Sequence, residues 1–159
     1  MAGRPNHVAF WIFILLLVVL HLGVHVAVGL RGGFAPDLLT VALLLGARRL
    51  SGSGAAALGL ALGILNDALS LTAFGALAVT YAIVGFIGAR SRDLFEGDSL
   101  LFVAAYVFLG KWLRDLIYMV LTRSAPWSDL WSSAPIAALY AAVAGVIALT
   151  LYRAATSDR

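Results

Sequence analysis

Residues 8–30 read VAFWIFILLLVVLHLGVHVAVGL, and this stretch decides the fold class. It contains no Lys, Arg, Asp or Glu, and the nearest charged residues are Arg4 before it and Arg31 after it. About 20 consecutive apolar residues are enough for a helix to cross the hydrocarbon core of a bilayer. The competing interpretation is a signal peptide, whose apolar region is only about 7–15 residues long. The run is longer than that, so we expect a retained transmembrane helix.

The composition of the whole chain agrees with a membrane location. Of the 159 residues, 62% are hydrophobic and 12% are charged, and the mean hydropathy is +0.99. Soluble domains average roughly 45–50% apolar and about 25% charged residues. The chain has too few polar side chains to cover a soluble surface, so we expect a single integral membrane domain spanning residues 1–159. The absence of cysteine excludes disulfides and thiolate chemistry, and the short basic stretches do not indicate a nucleic-acid partner.

Apolar segments recur along the chain. They predict six transmembrane helices, at about 8–30, 36–47, 54–71, 74–89, 99–121 and 134–152. Eleven or twelve helical residues in the second segment rise only about 17 Å, so that helix must span by including its flanks, by tilting or by thinning the bilayer. Asp37, directly after Pro36, suits a helix N-terminus. The expected fold class is an all-α membrane protein, a six-transmembrane-helix bundle with a short second helix.

Basic residues alternate between the two sides of such a bundle. Seven fall on the side of the N-terminus, namely Arg4, Arg48, Arg49, Arg90, Arg92, Arg153 and Arg159. The opposite side receives Arg31 and Arg123. Cytoplasmic loops are enriched in Lys and Arg, so both termini are expected in the cytoplasm. Trp127 and Trp131, in the last outer loop, are expected to be interfacial anchors.

Polar residues within the segments gather at one depth. A rise of 1.5 Å per residue places them in the outer half of the bilayer. They are His21, His25, Asp37, Asp67, Lys111, Arg114 and Asp115. One interpretation is a structural core of ion pairs, with Lys111 bound to Asp115 four residues away and Arg114 bound to Asp67. The other is that part of this layer lines an outward-open cavity or a docking groove for a partner.

His21 and His25 are four residues apart, which places two imidazoles on one helix face. Metal sites use that spacing, and Asp67 could supply a third ligand. The sequence has no HExxH motif and no GxxxxGK or GxSxG motif. We therefore expect packed, hydrogen-bonded histidines, and a protein that is not an enzyme and holds neither metal nor cofactor.

Small residues at four-residue steps mark helix-packing faces, because they let backbones approach closely. Ala55, Gly59, Gly63 and Asp67 share one face of the third segment, and Ala137, Ala141 and Gly145 share one face of the sixth. The glycines expected to serve helix packing are Gly59, Gly63, Gly75 and Gly85.

Residues 62–90, LGILNDALSLTAFGALAVTYAIVGFIGAR, resemble the MreD family, the rod shape-determining proteins of the bacterial inner membrane. The family shows a helix ending in Asp, a short turn containing Ser and Gly, and a second helix ending in Gly and Arg. The matching positions are Asp67, Ser70, Gly75, Gly85 and Arg90, and Pro36-Asp37 matches the pair that opens the family's short second helix. Ala35, Leu71 and Ala73 depart from the pattern.

The resemblance implies a non-enzymatic membrane scaffold of the cell-elongation machinery, in the inner membrane, that helps regulate peptidoglycan synthesis and cell shape. Such a protein binds the bitopic protein MreC, and with it meets MreB filaments and the RodA–transpeptidase complex. The loop 90–98 either touches those filaments or is simply solvated. The family also resembles the S components of energy-coupling-factor transporters, which supplies the alternative of a small-molecule-binding transporter subunit. In that alternative Trp112 and Tyr118, beside Lys111 and Arg114, suit a flat anionic ligand.

Overall fold

The computed structural model describes residues 7–29, 37–69, 75–92, 99–123 and 126–157. Within these ranges the chain is all-helical, as expected. The helices are α1 (His7–Gly29), α2 (Leu38–Ala47), α3 (Gly52–Leu69), α4 (Ala76–Ser91), α5 (Leu100–Thr122), α6 (Trp127–Ser132) and α7 (Ala134–Ser157). Residues named above that lie outside the described ranges are Arg4, Arg31, Ala35, Pro36, Ser70, Leu71, Ala73, Arg159 and 93–98.

Six of these helices coincide with the six predicted segments, and the seventh does not. The additional helix, α6, lies in the stretch expected to be an outer loop, and it carries Trp127 and Trp131 with both rings exposed. Three stretches are long and apolar enough to cross a membrane, namely His7–Val24, Gly52–Leu69 and Trp127–Thr156. Helices α2 and α4 are apolar but shorter, and α5 is long but carries three charged residues.

Helix α2, only ten residues long, lies at the centre of the molecule. All ten of its residues are buried, and it contacts α1, α3, α4, α5 and α7. Close approach to its neighbours depends on glycine, since a Cβ added at Gly46 would meet Leu58, and one added at Gly110 would overlap Leu44. A Leu-rich helix without charged residues can be surrounded on all sides because no face of it needs water.

The most extensive helix pairing is that of α3 with α4. Ala55, Gly59, Gly63 and Asp67 are all buried on the predicted face of α3. A Cβ at Gly59 would overlap the backbone carbonyl of Tyr81, and one at Gly63 would overlap the backbone of Ala78. Gly85 of α4 likewise lies against the carbonyl of Ala55. These contacts confirm that Gly59, Gly63 and Gly85 are helix-packing residues.

Gly75 has a different role from the one the sequence predicted. It is the N-cap of α4 with a φ of 94°, and a Cβ added there would meet nothing within 4 Å. The expectation of a packing glycine is therefore wrong at this position. Glycine is favoured here because a left-handed backbone excludes most other side chains.

Five arginines lie where α2, α4 and α7 end, at one end of the bundle that we call the arginine end: Arg48, Arg49, Arg90, Arg92 and Arg153. Arg92 Nη1 donates to the carbonyl of Leu50 at 3.2 Å, which joins the end of α4 to the end of α2. The Arg49 guanidinium carbon lies 3.7 Å from the centroid of the Phe10 ring, which adds the start of α1. Phe10 also packs against Tyr152, next to Arg153 in α7.

Candidate functional site

A polar cluster joins three helices at the end of the bundle opposite the arginine end. We define it as Asp37, Thr40, Tyr81, Lys111, Arg114 and Asp115. It begins at the N-cap of α2, where Asp37 Oδ1 accepts from the Thr40 amide at 3.0 Å and Asp37 Oδ2 accepts from the Thr40 hydroxyl at 2.7 Å. Tyr81 of α4 donates its hydroxyl to Asp37 Oδ1 at 3.3 Å. One carboxylate thus caps α2 and attaches it to α4.

Helix α5 supplies both cations of the polar cluster and the second carboxylate. Lys111 Nζ donates to Asp115 Oδ1 at 2.6 Å, and Arg114 Nη1 donates to the same oxygen at 2.8 Å. Lys111 Nζ also lies 3.8 Å from Asp37 Oδ2, and Arg114 Nε lies 4.0 Å from it. Two cations therefore share two carboxylates, and the formal charges cancel. The pairing of Lys111 with Asp115 along one helix is confirmed.

Aromatic rings complete the surroundings of Arg114. Its guanidinium carbon lies 5.4 Å from the centroids of both the Tyr81 and the Tyr118 rings. An aromatic face attracts a guanidinium through its quadrupole, and the attraction increases when water is excluded. The exposed fractions of the four charged side chains are only 7–17%. The cations are held within the protein by anions and rings rather than by solvent.

Asp67 does not pair with Arg114, and that prediction is wrong. Its carboxylate accepts from the backbone amides of Gly75, Leu77 and Ala78 at 3.0, 3.2 and 2.9 Å. These amides begin α4, and the first amides of a helix have no partner within the helix. Asp67 is 2% exposed and caps α4 from the end of α3. The carboxylate that faces Arg114 from another helix is Asp37.

The histidine pair is only partly within the described side chains. His21 is buried in α1, whereas the side chain of His25 lies outside the described set. Among the side chains that the structure describes, no three His, Asp or Glu residues are grouped so that they could hold a metal ion. Asp67, the suggested third ligand, is engaged by backbone amides.

Trp112 and Tyr118 lie on different faces of α5, so they do not form one ligand-binding surface. Trp112 donates its indole N–H to the carbonyl of Leu130 at 3.1 Å and packs edge-on against Trp131 at 5.6 Å. It belongs to a groove between α5 and α6 of about 510 Å³ that is lined by leucines and tryptophans alone. We call this the tryptophan groove. Tyr118 belongs instead to the surroundings of Arg114.

Sequence reasoning missed Thr40 and Tyr81. Thr40 could have been found, because a residue three positions after an Asp N-cap is where a side chain and an amide can both meet the carboxylate. Tyr81 had no local signal. Its hydroxyl lies 41 and 44 residues from Thr40 and Asp37 in the chain, and only the packing of α2 against α4 brings it to them.

Comparison of the chain with protein-family models, with curated proteins and with solved structures finds no match.

Proposed function

We propose that this chain is an MreD-like membrane scaffold, a non-enzymatic protein with six transmembrane segments and cytoplasmic termini that binds an MreC-like bitopic partner in a bacterial inner membrane. The proposal rests on the resemblance of residues 62–90, on the all-helical architecture and on the chemistry of the polar cluster. Through that partner the chain would meet MreB filaments and the RodA–transpeptidase complex of the peptidoglycan-synthesis machinery.

The observation that carries the proposal is that the polar cluster satisfies its own charges. Lys111 and Arg114 have carboxylates of the same chain 2.5–4.0 Å away. A substrate site keeps a few convergent polar groups directed at the ligand. Here those groups instead connect α2, α4 and α5. The cluster is therefore better suited to fixing the arrangement of helices that a partner recognises than to binding or converting a substrate.

Helix α1 offers the surface for that partner. Among the described residues it packs chiefly against α2, and one long face leaves Ile12, Leu15, Leu16 and Val19 exposed by 58–62%. Helices pair within lipid through close van der Waals contact. We place the transmembrane helix of the partner on this face, while the opposite face of α1 remains on α2.

Co-purification with an MreC-like protein tests the proposal. Leu16→Trp adds bulk to the α1 face, and Ile147→Trp adds it to an exposed position of α7 as the matched control. We expect wild type and Ile147→Trp to retain the partner equally, and Leu16→Trp to bind it at least about tenfold more weakly, a change of about 1.4 kcal/mol. Failure of the wild-type chain to form a complex at micromolar concentration would remove the proposed function. Equal loss of partner binding in both variants would exclude the α1 face as the binding surface.

The tryptophan groove supports a second candidate, the S-component-like subunit that binds a small molecule. Its volume of about 510 Å³ falls within the range of about 300–1,000 Å³ that is usual for ligand sites. A thermal-shift screen against vitamins, with Trp131→Ala as the groove variant, separates the two functions. A compound that stabilises wild type and not Trp131→Ala would favour the transporter subunit.

A further inference from the structure

Three of the five arginines at the arginine end, Arg48, Arg49 and Arg90, are not neutralised by any described carboxylate. No carboxylate among the described residues lies within 4 Å of Arg48, Arg49 or Arg90. This is the opposite of the polar cluster, where every cation has a carboxylate partner. Described carboxylates occur in the polar cluster, at the start of α4 and in α6, and all of these places are away from the arginine end.

Aromatic rings hold two of these arginines in place. The Arg49 guanidinium carbon lies 3.7 Å from the centroid of the Phe10 ring, and that of Arg90 lies 5.3 Å from the centroid of the Phe86 ring. A guanidinium that stacks on a ring keeps its N–H groups free along its edge. Those groups can then bind a phosphate by two parallel hydrogen bonds.

The same rings place these cations at the surface of a membrane. Trp11 packs edge-on against Phe10 at 5.6 Å and is 37% exposed, and Phe86 is also exposed. Tryptophan side chains such as that of Trp11 gather at the level of the lipid headgroups. His7–Val24 of α1 is apolar enough to cross the bilayer and starts at this end. Arg49 and Arg90 therefore lie where lipid phosphates lie, beside apolar rings that an acyl chain can contact.

We infer that the arginine end is a binding site for anionic phospholipids, in which Arg49 and Arg90 hold the headgroup phosphates and the exposed rings of Trp11 and Phe86 contact the acyl chains. Basic groups near a membrane surface attract anionic lipids over neutral ones. The rings favour a lipid over a free phosphate ion, since an ion has no apolar part to bury against them. This site does not depend on the identity of any protein partner.

Lipid titration of the purified full-length chain in detergent, followed by native mass spectrometry, tests the site. We expect phosphatidylglycerol to bind at least about tenfold more tightly than phosphatidylcholine, a difference of about 1.4 kcal/mol. The full chain is required because Asp93, Glu96 and Asp98 follow Arg92 in the sequence and contribute their charge to the measurement. Equal binding of the two lipids would overturn the inference. So would complete competition by inorganic phosphate at the same concentration as the lipid.

Two variants and one control locate the site. We expect the double variant Arg49→Gln/Arg90→Gln to bind phosphatidylglycerol no better than phosphatidylcholine. Arg49→Lys keeps the charge and loses the planar stacking, and we expect it to bind several-fold more weakly than wild type. Arg123→Gln removes an exposed arginine at the end of α5 and should bind as wild type does. The site is excluded if Arg123→Gln loses as much affinity as the double variant, and the stacking geometry is excluded if Arg49→Lys binds like wild type.

Discussion

At the scale of single residues, two aspartates have different structural roles. Asp37 lies beside Lys111 and Arg114, and its charge is balanced by theirs. Asp67 lies beside the amides that begin α4, and it satisfies donors that lipid cannot satisfy. The left-handed backbone of Gly75 turns these amides toward Asp67. Asp37 therefore supplies a negative charge to two cations, and Asp67 supplies hydrogen-bond acceptors to backbone amides.

Substitution of Asp67 should therefore disturb a helix cap and leave the ion pairs unchanged. We expect Asp67→Ala to cost about 2–4 kcal/mol, because buried amides that lose their acceptor cost about 1–3 kcal/mol each and water can replace part of the loss. Asp67→Asn keeps one acceptor oxygen and should cost less. Thermal melts in detergent measure both. Combining Asp67→Ala with Arg114→Ala should give additive effects, and a coupling above about 0.5 kcal/mol would show that the two residues interact after all.

In contrast to Asp67 and Arg114, the ion-paired residues of the polar cluster should have non-additive effects on stability. Asp115→Asn leaves Lys111 and Arg114 with Asp37 alone, and breaking a buried pair in this manner costs about 3–5 kcal/mol. We expect the double variant Asp115→Asn/Lys111→Met to cost less than the sum of its two parts, since it removes a charge of each sign. The same melts test this, with Asp129→Asn, at a partly exposed position of α6 outside the cluster, as a neutral control. Strict additivity would contradict a shared charge balance.

At the scale of helices, the pairing of α3 with α4 depends on the absence of side chains. Gly59 and Gly63 bring the two backbones so close that a methyl group would overlap the opposite chain. The central α2 depends on the same property at Gly46 and Gly110. Close backbone contact therefore helps to hold the bundle together. This is expected in a membrane, because lipid tails are as apolar as leucine side chains and provide no hydrophobic driving force between helices.

Gly59→Ala measures this proximity. The added methyl group would overlap the Tyr81 carbonyl, so α3 and α4 must separate. We expect the free energy of unfolding to fall by about 1–3 kcal/mol. Gly23→Ala in α1 is the matched control, because nothing lies within 4 Å of a Cβ at that position. It should be neutral or stabilising, since alanine favours a helix by about 1 kcal/mol over glycine. Equal melting temperatures of the two variants would contradict the close packing.

At the scale of the whole molecule, the two ends differ in charge. At one end Arg48, Arg49 and Arg90 have no carboxylate partner among the described residues, and the other end holds a neutral cluster. An excess of arginine marks the cytoplasmic side of a membrane protein. We therefore expect the arginine end to face the cytoplasm and the polar cluster to lie toward the opposite side of the membrane.

Reporter fusions test this orientation and the six-segment topology together. We expect a cytoplasm-active reporter joined after Arg92 or after Arg153 to be active, and one joined after Arg123 to be inactive. A periplasm-active reporter should show the reverse pattern at the same three positions. Activity of the cytoplasmic reporter at Arg123 would contradict the five crossings expected between the N-terminus and that position.

The sequence by itself determined the helical class, the positions of six helices and the small-residue face of α3, because each of these depends on local length, polarity and periodicity. It also determined the Lys111–Asp115 pair, whose members are one turn apart on the same helix. The tertiary structure decided that Asp67 caps α4, that Asp37 faces Arg114 and Lys111, and that Tyr81 joins them. It also decided that Trp112 contacts Leu130 and Trp131, whereas Tyr118 lies beside Arg114. Depth along a helix can be counted from the sequence, but rotation about the helix axis cannot, and rotation together with interhelical packing chooses the partner of every polar side chain.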